Sequence, residues 1–192
     1  MDKFLLIQII GLTAIAVEIC TQQIKNPRLI ILCSTPANLL WALQYVMLGA
    51  PAGATTNGAG AFKNLGVFFL KQKWRPYIIG LYILTAWGLG LYLFSAWYDI
   101  LPLLAVTALN LAFLQAENRP LIARAIIINC SLWIVYNAIV ASWMGLICAC
   151  LVICSSIIGM YRHENWDIGK CYKSFLPTLA RSLFIFPKLS NV

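Results

Sequence analysis

Long apolar runs with few or no charged residues recur along this 192-residue chain, and they constrain its fold more than any other feature. Each run is near the roughly 17–25 residues that a helix needs to cross about 30 Å of hydrocarbon. Backbone groups inside lipid must be hydrogen-bonded internally, so the runs are predicted to be helices and not strands. Seven runs are predicted, at residues 4–20, 29–48, 55–70, 76–97, 100–116, 125–141 and 144–161.

Composition also indicates a membrane protein. The chain is 61% hydrophobic and 10% charged, whereas an average soluble domain is about 25% charged. The predicted fold class is all-α transmembrane with seven helices, in a multi-pass protein of the cell membrane, or of the inner membrane if the source is Gram-negative. Lys3 before the first run is also typical of a signal peptide. However, Glu18 stands where small residues should precede cleavage, so a retained helix is predicted.

The basic residues fall in alternate connections between the runs. They lie at Lys25 and Arg28, at Lys71, Lys73 and Arg75, at Arg119 and Arg124, and in the tail from Arg162 to Lys188. Because cytoplasmic loops carry the excess of Lys and Arg, this pattern predicts an outside N-terminus and an inside C-terminus. It accounts for the net charge of +8 without a nucleic-acid partner. Aromatic and basic residues interleave in 164–192, which predicts an amphipathic tail against anionic lipid headgroups.

Part of the sequence occurs twice, 92 positions apart. This offset aligns Trp41 with Trp133, an uncommon match because the chain has seven Trp, and it aligns the polar Glu18 with Asn110. Two three-helix units can point the same way only if an odd helix joins them, so a 3+1+3 arrangement of parallel repeats is predicted, as in some transporters. The predicted units are a first repeat at 1–75, a linker helix at 76–98, a second repeat at 99–163 and the tail at 164–192.

Polar and aromatic residues recur at helical spacing in the second and sixth runs, so they are predicted to face the bundle interior. They are Asn38, Trp41, Gln44 and Tyr45 in the second run, and Asn129, Trp133, Tyr136 and Asn137 in the sixth. The Trp rings offer flat faces for a sugar or heterocycle and the amides offer donors and acceptors, which predicts a site for a small polar solute. Alternatively, the amides join helices to one another. Pro36 removes a backbone hydrogen bond within the second run and is predicted to be a hinge.

Two ionisable residues lie inside apolar runs, Glu18 in the first and Lys63 in the third. Such residues are rare in membrane helices and usually pair with one another or line a pathway. Together with Asn64 and Asn110 they are predicted to form either a buried ion pair or a pathway for proton coupling. Glu18 is also close to the end of its run, so a position at the membrane interface stays open.

An enzyme is not predicted, because the chain has one His and shows no paired carboxylates or activated nucleophile. Cys148, Cys150 and Cys154 are close in sequence, but this spacing on one helix is poor for a tetrahedral metal site. These cysteines are predicted to be small apolar packing residues. Neither a metal nor a cofactor is predicted.

The sequence resembles known families. It is similar to the YgjV-like bacterial inner-membrane proteins in Gln8-x-x-Gly11, the turn from Leu48 to Ala54, the basic Lys63, Trp133 and Tyr136-Asn137. The proline-bearing second helix and the 3+1+3 plan resemble the SWEET and PQ-loop transporters, although the Pro-Gln dipeptide is absent. A more distant similarity is to PnuC-type vitamin transporters. The resemblance covers about residues 4–162 and implies a membrane protein whose solute the family does not define.

Two classes of function fit these observations. The first is a facilitator of a small polar solute, sugar-like or nucleoside- or vitamin-like, in which one repeat rocks against the other. The second is a non-transporting receptor or an assembly or scaffold protein with the same fold. Because one chain holds both repeats, a monomer is expected.

Overall fold

The computed structural model of the protein describes residues 2–22, 24, 26–114 and 119–164. Its helices are α1 (Lys3–Gln22), α2 (Pro27–Met47), α3 (Pro51–Phe69), α4 (Arg75–Tyr92), α5 (Ile100–Leu114), α6 (Arg119–Ile139) and α7 (Trp143–Glu164). Short 3₁₀ turns at Gln72–Trp74 and Trp97–Asp99 precede α4 and α5. The predicted all-α class with seven helices is therefore confirmed over the described ranges. Nearly all of the predicted tail, 165–192, lies outside them.

Length and composition identify four candidate membrane spans in the described part of the chain. They are Lys3–Thr21, Leu29–Met47, Trp97–Leu114 and Leu121–Ile139. Large apolar side chains also cover the outside of the bundle; Phe62, Leu84 and Tyr92 are 74%, 72% and 85% exposed. A continuous apolar exterior is unfavourable in water and favourable against lipid tails. The protein is thus a multi-pass helical membrane protein.

The helices pack in the same order in both halves of the chain. In the first half α1 contacts α2 and α2 contacts α3, and in the second half α5 contacts α6 and α6 contacts α7. The halves meet where α1 contacts α7 and where α3 contacts α5, while α4 packs against α3 and α5. Six helices therefore form a closed circuit of contacts, with α4 attached to one side of it.

The turn between α2 and α3 and the turn between α6 and α7 both have a residue with positive φ and the same backbone hydrogen bond. Gly49 and Ala141 have φ of 70° and 56°, the left-handed conformation that commonly ends a helix. The amide of Ala50 donates to the carbonyl of Tyr45 at 2.9 Å, and the amide of Ser142 donates to the carbonyl of Asn137 at 2.9 Å. Each residue of the first turn lies 92 positions before its counterpart in the second.

Side chains from opposite halves cap the helices that follow these turns. The first four N–H groups of a helix have no partner within it. In α3, the amide of Gly53 donates to the Tyr136 hydroxyl at 2.9 Å. In α7, the amide of Met144 donates to Oε1 of Gln8 at 3.4 Å, and Nε2 of Gln8 donates to the carbonyl of Ala141 at 3.2 Å. Each half thus supplies a cap to the other.

Three predicted helix boundaries are wrong by four to six residues. Helix α3 begins at Pro51 and not at 55, because proline fits the first turn, where its missing N–H has no intrahelical partner. Helix α6 begins at Arg119 and not at 125, because basic residues are tolerated at the end of a membrane helix. Helix α4 ends at Tyr92 and not at 97. There, the buried Asp99 carboxylate accepts the amides of Ser95 and Ala96 at 2.9 and 3.0 Å, which stabilises a turn.

Candidate functional site

A cavity of about 200 Å³ lies among α1, α2, α6 and α7, with one residue contributed by α3. Its lining residues are Glu18, Trp41, Tyr45, Asn57, Asn129, Cys130, Trp133, Asn137, Gly145, Cys148, Ala149 and Val152. Five of the eight residues predicted to bind a solute are in this set, namely Trp41, Tyr45, Asn129, Trp133 and Asn137. The two predicted polar faces, one on α2 and one on α6, therefore meet at a single cavity.

Stacked aromatic rings form one wall of the cavity. The Tyr45 ring stacks on Trp41 at 6.4 Å between centroids and on Trp133 at 5.6 Å, with an interplanar angle of 29° in each case. The Tyr45 hydroxyl donates to Oδ1 of Asn137 at 2.7 Å. Offset stacking of this kind adds about 0.5–1.5 kcal/mol per pair to the burial of the rings. Both the aromatic wall and the amide are thereby held in fixed orientations.

Glu18 contributes a carboxylate to the cavity wall. Its Oε1 accepts a hydrogen bond from Nε1 of Trp41 at 3.1 Å, and its Oε2 accepts one from Sγ of Cys148 at 3.2 Å. Glu18 is in the last turn and a half of α1. Its hydrogen-bond partner Trp41, however, lies about two thirds of the way along α2, away from either end of that helix. The carboxylate therefore faces the interior of the bundle. This geometry favours the pathway hypothesis for Glu18 over a position at the membrane interface.

Lys63 and Glu18 have different partners in this structure. Nζ of Lys63 donates to Oδ1 of Asn110 at 3.4 Å and lies 5.0 Å from the centroid of the Tyr82 ring. Nδ2 of Asn110 donates to the carbonyl of Val106 at 2.7 Å, which fixes the orientation of the amide. The structure therefore gives Lys63 neutral partners between α3, α4 and α5 instead of an ion pair with Glu18. Asn64, the other predicted pathway residue of α3, is buried.

Three residues predicted to bind a solute do not line the cavity. Gln44 is fully buried, where its Oε1 accepts a hydrogen bond from the Ser142 hydroxyl at 3.3 Å. Tyr136 caps α3, and Asn38 lies close to Gly60 on α3. Gln44 and Tyr136 form hydrogen bonds between helices, which was the alternative for polar residues in membrane bundles. Residues three positions apart on α2 contact different neighbouring helices, so a solute role for Asn38, Gln44 and Tyr136 stays a prediction.

Sequence reasoning missed two polar residues of the cavity. Nδ2 of Asn57 donates to the carbonyl of Gly53 at 2.9 Å; its repeat counterpart is the apolar Ala149, so the 92-residue comparison did not select it. Cys148 was predicted to be an apolar packing residue, yet its thiol donates to Glu18. No group of three or more potential metal ligands is found among the described residues. Pro36 lies within a continuous α2, on an exposed side of the helix.

An apolar helical bundle around a polar and aromatic cavity defines a multi-pass membrane protein with an internal cavity. A family model described as "Bacterial inner membrane protein", Imp-YgjV, matches residues 5–166, and the chain belongs to this family. The predicted YgjV-like resemblance is thus confirmed, and the protein is located in the bacterial inner membrane. No curated protein and no solved structure matches the chain.

Proposed function

We propose that the protein is a transporter or facilitator of a small polar solute and that the cavity is the solute site. The observation that carries this proposal is the cavity wall itself, where a carboxylate, three amides and three aromatic rings converge inside an apolar bundle. Binding sites for small molecules combine apolar walls with a few oriented polar groups. A volume of about 200 Å³ is below the roughly 300–1,000 Å³ of drug-sized ligands, so the solute is small. No chemistry on the solute is proposed, and no cofactor.

The proposed mechanism is alternating access between two parallel three-helix units joined by α4, a plan that resembles that of the SWEET and PQ-loop transporters. Three observations support these units. Helices α2 and α6 both have 21 residues and begin 92 positions apart. The left-handed residues Gly49 and Ala141 have the same offset. The contact of α1 with α7 corresponds to the contact of α5 with α3. Because both units are in one chain, the proposed functional unit is a monomer.

The proposed topology has seven crossings, the N-terminus outside and the C-terminus inside, based on the basic clusters in alternate connections. We expect alkaline phosphatase, which is active only outside, to be active when fused after Gly49 and inactive when fused after Lys73. A fluorescent protein that folds only in the cytoplasm should give the opposite result. Activity of the same reporter at both positions would contradict a crossing by α3.

Uptake into proteoliposomes tests the proposed function. Labelled sugars, nucleosides and small amines are the candidate solutes, and we expect flux of at least one of them. Removing an aromatic face by Trp133→Ala should lower that flux by about tenfold, since aromatic contacts of about 0.5–1.5 kcal/mol are lost. Trp143→Ala is the matched control, because Trp143 is 48% exposed and does not line the cavity; its flux should equal that of the native chain.

Two outcomes would contradict a transporter. One is equal loss of flux in both Trp variants, which would show that flux does not depend specifically on the cavity. The other is no flux of any solute together with a soluble partner that co-purifies with the chain, which would favour the receptor or scaffold alternative.

A further inference from the structure

We infer that the solute of this cavity is a small organic cation, namely a protonated amine or a quaternary ammonium ion. This inference rests on the proposed function and adds the chemical class of the solute. Of the twelve described residues that line the cavity, Glu18 is the one with an acidic or basic side chain. A neutral solute would leave this carboxylate without an opposite charge, whereas a cation would supply one.

The hydrogen bonds of Glu18 leave it able to bind a cation. Trp41 and Cys148 each donate one hydrogen bond, to different carboxylate oxygens. Both donors are neutral, so they orient the carboxylate without compensating its charge. An ionised carboxylate has about four acceptor positions, so further ones stay open toward the cavity. A partly buried charge inside an apolar bundle is favourably paired with an opposite charge.

The aromatic wall of the cavity is the second feature, after the carboxylate, that favours a cation. The faces of Trp, Tyr and Phe carry negative partial charge and attract ammonium groups, with Trp the most effective. Trp41, Tyr45 and Trp133 line the same cavity as the carboxylate, and Trp41 contacts Glu18 directly. Within this molecule, the same chemistry already holds Lys63, whose Nζ lies 5.0 Å from the Tyr82 ring centroid.

The amides provide the remaining contacts. Nδ2 of Asn129 is 3.9 Å from Sγ of Cys130, which leaves its amide oxygen as an acceptor for an N–H group of the solute. Oδ1 of Asn137 already accepts the Tyr45 hydroxyl, so this amide mainly holds the aromatic wall in place. Asn57 donates through its Nδ2 to the carbonyl of Gly53, so its amide oxygen is a further acceptor. A carboxylate, aromatic faces and two amide oxygens in about 200 Å³ fit a compact ammonium group better than a sugar, which needs many donors and acceptors.

Binding of matched charged and neutral probes tests the inference. The probes are choline with its uncharged carbon analogue 3,3-dimethylbutan-1-ol, and benzylamine with benzyl alcohol. Binding to the full chain in lipid nanodiscs can be followed by intrinsic Trp fluorescence. We expect at least one cation to bind at least about tenfold more tightly than its neutral analogue. Measurements on the native protein are enough to overturn the inference. Either the failure of both cations to bind or equal affinities within both pairs would do so.

Glu18→Gln tests the role of the carboxylate, since it removes the charge while keeping an acceptor for Trp41. We expect the variant to lose the preference for the cation and to bind the neutral analogue as before. Retained preference would overturn the inference, as would the same loss in Asp2→Asn, an exposed carboxylate that does not line the cavity.

The binding measurement tests the ammonium site and the flux measurement tests the transporter, so either proposal can fail without the other. Cation binding without flux of any solute would refute the proposed transporter and leave the ammonium site standing. Flux of a neutral sugar that Glu18→Gln does not change would refute the ammonium site and leave the transporter standing.

Discussion

Gly53→Ala should lower the stability of the folded protein by about 1–3 kcal/mol, the usual cost of adding a methyl group to a packed core. A Cβ at Gly53 would lie 2.8 Å from Cγ of Tyr45 and 2.9 Å from Cε1 of Tyr136. Both rings are buried and are held by hydrogen bonds to Asn137 and to the Gly53 amide itself. The rings therefore have to move, which disturbs the aromatic wall as well as the cap of α3. Thermal unfolding in detergent measures the change.

Gly58→Ala is the matched control on the same helix. A Cβ at Gly58 meets nothing within 4 Å, and replacing a helical glycine by alanine stabilises a helix by about 1 kcal/mol. We expect this variant to unfold at the native temperature or above it. Equal destabilisation of both variants would show that helix flexibility matters here and that the close approach of the rings does not.

Tyr136→Phe should lower stability by about 1–3 kcal/mol, because it leaves a buried backbone donor without an acceptor. Tyr136 is fully buried, and its hydroxyl is 2.9 Å from the amide nitrogen of Gly53, within the unpaired first turn of α3. In an apolar surrounding, water is not expected to replace the hydroxyl. Faster exchange of the Gly53 amide hydrogen should accompany the loss, and exchange measured by mass spectrometry would detect it.

Tyr77→Phe provides the comparison for this variant. Tyr77 is 70% exposed, so removal of its hydroxyl should change stability by less than about 0.5 kcal/mol. A Tyr136→Phe protein as stable as Tyr77→Phe, with unchanged exchange at α3, would refute the capping role.

Much of the fold could be predicted from the sequence, because hydropathy determines which segments become membrane helices. The run at 29–48 differs from α2, Pro27–Met47, by two residues or fewer at each end. Trp41 on α2 and Trp133 on α6, which the 92-residue offset aligns, line one cavity. Composition and periodicity contain this information because large apolar side chains cover the outside of the bundle.

The neighbours of individual side chains could not be predicted. The sequence does not say how far one helix is shifted along another, and here Gly11, near the middle of α1, lies beside Gln44, near the end of α2. The same shift brings Glu18 to Trp41. Nor does the spacing of residues on α2 say which of them face α1 and which face α6. For this reason Gln44 was assigned to the cavity and Cys148 was not.

Glu18 and Lys63 both belong to the first half of the chain, on α1 and α3. Moving one elementary charge through a membrane potential of 100 mV changes its energy by about 2.3 kcal/mol. If the first half rocks as a rigid body in the proposed mechanism, a carboxylate and an ammonium group move together, and their electrical work largely cancels. The empty carrier would then respond little to voltage. A bound cation would add a single uncompensated charge, so the membrane potential would act on the loaded carrier and favour uptake into the negatively charged cell interior.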